Sequence, residues 1–170
     1  MTSEQIEDLC NDEARAMIGT QMSTAEGIVV KKEFQRFAAA TRDRNPLYFD
    51  AEYARRMGYR DVICPPMYLT HITLGVFDLD QMRPDGIPLA NLGKVVPLPK
   101  TPRRMAGGEN VTWYEPIYDG DVITATRFLV SIDQKAGRSG PFLLMTSRTT
   151  FTRADGTLVA EATMSTIYSP

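Results

Sequence analysis

The second half of the chain, from residue 110 onward, consists largely of residues that β-strands prefer. Four segments rich in Val, Ile, Thr, Phe and Tyr follow one another, and the turn sequences DGD, KAGRSG and ADG separate them. This spacing predicts an antiparallel meander of long strands. Because the first half carries helical patterns instead, we predict the α+β class.

The most apolar segment lies in the first half, at residues 64–79, with the sequence CPPMYLTHITLGVFDL. Pro66 suits the first position of a helix, because the N–H that proline lacks would have no partner there. The residues that follow are apolar in most directions, so we expect a helix that is buried on most sides. One such helix and one large sheet suggest that the sheet wraps around the helix.

Two shorter helices are predicted before this segment. Residues 31–42 carry apolar side chains on one face, which is typical of an amphipathic helix. A second helix is predicted at residues 50–58. Asp50 is a plausible N-cap for it, and Gly58 follows its last turn.

We predict a single domain over residues 1–170, because a chain of this length can bury most of its apolar surface in one core. Its N-terminal part is a helical extension, with an amphipathic pattern over residues 4–18, and residues 27–32 are predicted as a short strand. Residues 79–108 are rich in proline and are predicted as a long irregular loop, with Gly107 and Gly108 as hinge residues. A connection of that length is usually functional or mobile.

Charge and composition exclude several classes of function. The net charge of −2 gives no basic field for nucleic acid, and no apolar run approaches the roughly 20 residues that span a bilayer. The acidic N-terminus lacks a signal-peptide pattern, and two cysteines favour a reducing compartment, so we expect a cytoplasmic protein. The cysteines and the sole histidine, His71, do not have the spacing of metal ligands.

A polar motif, DRNPLYFD at residues 43–50, follows the first predicted helix. Asp43 and Asn45 are candidate catalytic or substrate-binding residues. Asp and Asn also hold turns by accepting hydrogen bonds from nearby backbone amides, and this alternative stays open. Regular structure should end at Asn45, since the residue before a proline avoids the α region.

The segment RFAAATRDRNPLYFDAEYARRMGYRDVICPPMYL resembles the N-terminal part of the MaoC-like dehydratases, also called R-specific enoyl-CoA hydratases. It is most similar to the branch that resembles the N-terminal dehydratase domain of fungal-type fatty acid synthase. GGENVTWYEPIYDGDVI and ADGTLVAEATM resemble the C-terminal strands of the same family. The resemblance implies a hot-dog fold, in which a curved antiparallel sheet wraps a long central helix. It also implies pairing into a double hot-dog that binds acyl thioesters between its halves.

The family's reaction is the reversible hydration of a trans-2-enoyl thioester to the 3-hydroxyacyl thioester. It needs a carboxylate and an imidazole that hold a water molecule, and a backbone N–H that stabilises the thioester oxygen. By resemblance, Asp43 is at the carboxylate position and Tyr48 at the histidine position. Pro65 and Pro66 are at the His-Gly pair that supplies the N–H. Tyrosine, with an ordinary pKa of about 10, is a poor base at neutral pH, and proline has no N–H to donate.

The resemblance therefore implies the substrate-shaping half of a heteromeric dehydratase, a lyase of lipid metabolism, with the catalytic Asp and His on a MaoC-like partner chain. Asn45, Pro66 and Tyr68 would help to line the substrate site, and Asp43 would be a remnant. The substrate would carry coenzyme A or a carrier protein, no cofactor is implied, and two heterodimers could pair. An active homodimer that uses Asp43 and Tyr48, or a non-enzymatic acyl-CoA-binding protein, are the alternatives.

A basic stretch, GKVVPLPKTPRRMAGG, precedes the β-rich half. Lys94, Lys100, Arg103 and Arg104 are candidates to contact the phosphates of coenzyme A or the acidic face of a carrier protein. The alternative is that they belong to a solvated loop. His71, beyond the start of the apolar helix, is predicted to be a core or interface residue rather than a relocated base.

Overall fold

A single antiparallel sheet forms the framework of the molecule. The computed structural model describes residues 7–74, 79–82, 84, 86 and 93–170. Among them, five strands pair in the order β1-β3-β4-β5-β2. Their bounds are β1 Gln21–Ile28, β2 Arg103–Trp113, β3 Val122–Gly137, β4 Gly140–Arg153 and β5 Leu158–Ser169.

The predicted meander is correct for β3, β4 and β5 but not for β2. The three long strands are joined by tight turns in which Gly140 and Gly156 have φ of +120° and +87°, values that suit glycine. β2 lies beyond β5 at the edge of the sheet, instead of beside β3. Spacing along the chain could not reveal this, because the connection at residues 114–121 crosses the sheet before β3 begins.

Within the described ranges, four α-helices lie on or beside the sheet: α1 Asp12–Ala16, α2 Lys31–Ala40, α3 Ala51–Arg56 and α4 Leu69–Leu74. The predictions of α2 and α3 are confirmed. Asp50 caps α3 as expected, since one carboxylate oxygen accepts hydrogen bonds from the N–H groups of Glu52 and Tyr53, both at 2.9 Å. With these helices, the α+β prediction is also confirmed.

The central helix begins with a 3₁₀ turn over Pro66–Tyr68 and continues as α4. Leu69 and Ile72 are buried against the sheet, but Met67 is 70% exposed and Leu74 is 37% exposed. The expectation of burial on most sides is therefore wrong for these residues in the single chain. The remainder of the predicted helix, at residues 75–78, lies outside the described residues.

Two separate clusters of buried side chains lie on the inner face of the sheet. The first lies under α4 and includes Phe34, Ile123 and Phe151. The second lies at the other end, where Leu9 and Ala14 pack on Leu143 of β4. The N-terminal segment thus covers one end of the sheet, while α4 covers the other.

The N-terminal helix is shorter than predicted. It begins at Asp12 because the Asn11 side chain accepts a hydrogen bond from Ala14 N–H at 2.7 Å and so caps the helix. Residues 7–11 are irregular, and residues 4–6 of the predicted helix lie outside the described part of the chain. Asn11 Nδ2 also donates to Pro97 O at 3.0 Å, which ties the segment to the loop before β2.

Two further boundaries differ from the sequence expectation. The first strand spans Gln21–Ile28, so it lies earlier in the chain than the predicted residues 27–32. It ends at Ile28 because Val29 N–H donates to Asp121 O at 2.8 Å and leaves the strand pairing. The long loop ends at Pro102, since β2 begins at Arg103. Gly107 and Gly108 form a bulge within β2, where the register to β5 shifts, instead of a hinge. Across the described ranges, no helix is both long and apolar enough to cross a membrane.

Candidate functional site

The DRNPLYFD loop follows the C-terminus of α2, which ends in a defined capping motif. Arg42 follows α2 with φ of +58°, a left-handed conformation that is rare outside glycine. Asp43 N–H then donates to Ala38 O at 2.8 Å and Arg42 N–H to Ala39 O at 3.1 Å, the pattern of a Schellman motif. This motif directs the chain out of the helix and sets the position of Asp43.

Asp43 and Asn45 both bind the backbone of their own loop. Asp43 Oδ1 accepts a hydrogen bond from Asn45 N–H at 3.1 Å, and Asn45 Oδ1 accepts one from Leu47 N–H at 3.1 Å. Asp43 is exposed and Asn45 is half-buried. Consecutive turns of this kind hold a loop in one shape, which is the structural alternative that the sequence left open.

Tyr48 is the buried residue of this loop, at 6% exposure. Burial raises the pKa of its phenol, and the negative charge of Asp43 raises it further, against a smaller opposing effect of an Asn45 hydrogen bond. The backbone carbonyl of Tyr48 accepts a hydrogen bond from Gln35 Nε2 at 2.9 Å, which fixes the loop to α2. At neutral pH the phenol stays protonated, so it can donate a hydrogen bond but cannot act as a base.

The start of the central helix lies next to Cys64, a buried thiol. Cys64 N–H donates to Ile117 O at 2.7 Å, which attaches this segment to the connection between β2 and β3. Burial, with a smaller contribution from Asp121, raises the pKa of Cys64 to about 12. The next two residues, Pro65 and Pro66, have no N–H, and Tyr68 N–H is bonded to Pro65 O at 3.0 Å. At the two positions matched to the family's His-Gly pair, the backbone therefore has no donor.

Tyr68 joins an aromatic cluster with Phe37 and His71. The ring centroids of Tyr68 and His71 are 5.6 Å apart with nearly parallel planes, and Phe37 lies 5.1 Å from His71. Tyr68 OH donates to Glu33 Oε2 at 3.3 Å. Burial, followed by the charge of Glu33, raises the pKa of Tyr68. His71 is exposed on α4, so the prediction of a core histidine is wrong for the single chain, and its ring packs on Tyr68 and Phe37.

Asp121, in the DGD turn, organises the backbone around this region. Its carboxylate is buried and accepts hydrogen bonds from Arg60 Nη2 at 3.1 Å, Arg153 Nε at 3.2 Å and Tyr118 N–H at 3.0 Å. The turn was predicted from sequence, but this ionic cluster was not, because its two arginines are distant along the chain. Asp121 is therefore a structural residue that holds three segments together.

The four predicted phosphate-binding cations do not form one cluster. Arg103 and Arg104 are neighbours on a strand, so their side chains point to opposite faces of the sheet. Lys100 Nζ bonds Asp8 O and Glu7 Oε1, both at 2.9 Å. Lys94 lies near β1, at the opposite edge of the sheet from β2, where its N–H donates to Met22 O at 2.8 Å.

A half-open cavity of about 420 Å³ lies on the inner face of the sheet, between the two buried clusters. An engineered cavity of ~150 Å³ holds one benzene molecule, so this one has room for a larger organic group. We call it the inner cavity. The alternation of side chains along each strand indicates from sequence which residues face inward. The order of the strands in the sheet decides which of these inward residues lie next to one another in the cavity. Asn45, Pro66 and Tyr68, which were expected to line the substrate site, do not line this cavity. Its described lining consists of Met22, Lys94, Val95, Val96, Arg104, Met105, Ala106, Arg127, Leu129, Met145, Ser147, Met164, Thr166 and Tyr168.

Comparison with known sequences places residues 16–162 in the family described as FAS1-like, dehydratase domain region. A UPF0336 protein of Parafrankia sp. (strain EAN1pec) is 31% identical over 139 residues, which cover 82% of each chain. A UPF0336 protein of Streptomyces avermitilis is 31% identical over 113 residues, and the match spans 64% of this chain and 65% of that protein.

Solved structures with the same fold include a two-protein complex and two proteins named as dehydratases. The ChsH1-ChsH2 complex of Mycobacterium tuberculosis matches with a TM-score of 0.71 at 20% identity, covering 92% of this chain and 91% of the other. A MaoC-like dehydratase of Rhodospirillum rubrum matches with a TM-score of 0.63 at 20% identity, with coverage of 89% and 92%. The HadBC (3R)-hydroxyacyl-ACP dehydratase complex of Mycobacterium tuberculosis matches with a TM-score of 0.62 at 22% identity, with coverage of 89% and 96%. The chain therefore belongs to the FAS1-like dehydratase family and has the hot-dog fold of the MaoC-like dehydratases.

Proposed function

We propose that this chain is the substrate-shaping, non-catalytic subunit of a heteromeric acyl-thioester dehydratase. The observation that carries the proposal is Tyr48, a buried and protonated phenol at the position where active members of the family have a histidine. General-base catalysis at neutral pH needs a group whose pKa lies near 7, and the shift of Tyr48 is in the opposite direction.

The backbone N–H that would stabilise the thioester oxygen is also absent at the matched position. An enolate-like oxygen needs a donor aimed at it, and Pro66 has none at the matched position. Asp43 remains, but its carboxylate already binds the backbone of its own loop. These features support the proposal that the chain keeps the loop of the site but does not itself catalyse the addition of water.

The inner cavity supports the substrate-shaping role. Its floor of methionine, leucine and threonine side chains suits an acyl group, since the methionines can adapt to different shapes. The thioester that enters this cavity would be carried by coenzyme A or by a carrier protein.

The catalytic residues would come from a MaoC-like partner subunit. β2 is an edge strand, almost all of its side chains are exposed, and Met105 on it is 57% exposed. The unpaired backbone N–H and C=O groups of an edge strand can pair with another sheet. Two proteins of similar fold, ChsH1-ChsH2 and HadBC, are named as complexes, which supports a double hot-dog with a different chain and, by extension, a dimer of such pairs.

The test is hydration of a trans-2-enoyl-CoA by the purified chain, alone and co-expressed with a MaoC-like protein that carries the Asp and His. We expect no turnover by the chain alone and turnover by the pair. Full activity of the chain alone would contradict the proposal. Binding of thioesters without turnover in any pairing would favour a non-enzymatic acyl-CoA-binding protein.

The Tyr48→Phe variant separates this proposal from an active homodimer. Loss of a general acid or base usually costs about 10²–10⁴-fold in rate. We expect the variant to keep turnover in the pair within about threefold of wild type, because no proton moves through Tyr48. A loss of the larger size in steady-state kinetics would instead assign the chemistry to Tyr48 and Asp43.

A further inference from the structure

The described lining of the inner cavity is rich in cationic residues. Its described lining contains three cationic side chains, Lys94, Arg104 and Arg127, and no carboxylate. The carboxylate of Glu109 lies on the same face of β2, opposite Met164, but does not line the cavity. In a chain with a net charge of −2, three cations and no carboxylate among the described lining residues favour an anionic group.

The cations stand at opposite sides of the cavity. Arg127 on β3 pairs with Ser23 of β1, and Lys94 is bonded to Met22, so these two lie on the β1 side. Arg104 lies on β2 opposite Tyr168, which packs against the cluster around Leu143. Three strand spacings separate β2 from β3, which is about 14 Å.

Apolar side chains fill the space between them. Leu129, Met145 and Met164 lie on the inner face of three adjacent strands, with the hydroxyls of Ser147 and Thr166 beside them. Such a floor suits an elongated apolar chain. Arg104, at one end of the floor, suits a hydrogen-bond acceptor at the end of that chain. Arg104 and Arg127 each already have an interaction within the chain. A guanidinium has five N–H donors, so it can donate hydrogen bonds to a ligand and keep that interaction.

We propose that the inner cavity takes an acyl group with a carboxylate at its far end, and that Arg104 is the partner of this carboxylate. The proposal rests on the function proposed above and specifies its substrate class, an ω-carboxyacyl thioester. The Arg104 guanidinium can bind the carboxylate with two parallel hydrogen bonds, which lysine could not do. Arg104 is thus a specificity-determining residue.

The test compares pairs of saturated CoA thioesters that share a chain length and differ only in the terminal carboxylate, for example octanoyl-CoA and suberoyl-CoA. Binding to the purified full-length chain is measured by calorimetry over short, medium and long chains. At one or more lengths we expect the carboxylate to strengthen binding about tenfold, the order expected for one charge-assisted hydrogen bond. Equal binding of both members at every length would overturn the proposal and leave the proposed function intact.

The matched variants are Arg104→Met and Arg103→Met. They remove the same charge from adjacent positions whose side chains lie on opposite faces of β2. We expect Arg104→Met to lose the preference while still binding the plain acyl thioester, and Arg103→Met to keep the preference. Loss of the preference in both variants would overturn the assignment to Arg104. If neither thioester binds at any length, with or without a catalytic partner, the proposed function fails as well.

Discussion

At the scale of single residues, the strained conformation of Arg42 gives a direct test of the loop geometry. A side chain in the left-handed region costs about 1–2 kcal/mol, and glycine does not have this cost. We expect Arg42→Gly to increase the free energy of unfolding by about 0.5–1 kcal/mol, because greater freedom of the unfolded chain offsets part of the gain. Chemical denaturation of both proteins measures this difference.

The control for this substitution is Arg36→Gly, within α2. There the backbone is helical, so glycine should decrease the free energy of unfolding by about 1 kcal/mol. If both variants lose stability to the same extent, the left-handed conformation of Arg42 is contradicted.

Cys64 predicts how stability depends on pH in alkaline solution. Its pKa rises from 9.0 in the unfolded chain to about 12 in the folded protein, because burial disfavours the thiolate. The folded state therefore holds the proton more tightly, so this contribution is complete below pH 9 and is lost as the pH rises toward 12. We expect the free energy of unfolding to fall over this range, and to fall less steeply in Cys64→Ala. Identical slopes for the two proteins would contradict the burial of an intact thiol.

At the scale of secondary-structure elements, Gly27 sets the distance between β1 and α4. A Cβ atom at this position would lie 1.7 Å from Ile72 O, so no side chain fits unless the helix moves. We expect Gly27→Ala to destabilise the protein by about 1–3 kcal/mol or more, as overpacking does. Thermal unfolding measures this. Thr24→Ala, on the outer face of the same strand, should change stability far less. A Gly27→Ala variant with wild-type stability would mean that α4 does not lie where the structure places it.

Elements with local signals were predictable from sequence, and elements that depend on distant contacts were not. Asp50 and Gly58 gave the bounds of α3, because caps act within a few residues. The end of β1 was not predictable, since it depends on Asp121, a residue far along the chain that binds Val29 N–H. The inner cavity was missed for the same reason. Its two arginines meet the same space only because β2 pairs with β5 and not with β3.

At the scale of the whole molecule, the exposed edge at β2 predicts where a partner sheet adds. A charge placed on an edge strand disfavours pairing with another sheet. We expect Met105→Lys to abolish co-purification with a MaoC-like partner while the chain remains folded by circular dichroism. Thr163→Lys, exposed on the outer face of β5, is the matched control and should keep the partner. Retention of the partner by Met105→Lys would place the interface elsewhere.

The two ends of the sheet are packed by separate clusters of buried side chains, so we expect them to open independently. The cluster beneath α4 and the cluster around Leu143 share no side chain, and the inner cavity lies between them. The N-terminal end can therefore open without first unpacking the helical end, because few contacts couple the two. Amide hydrogens near Leu9 and Ala14 should exchange with solvent faster than those of Leu69 and Ile72. A bound acyl group, which would touch both ends, should slow that exchange and make the chain open as one unit.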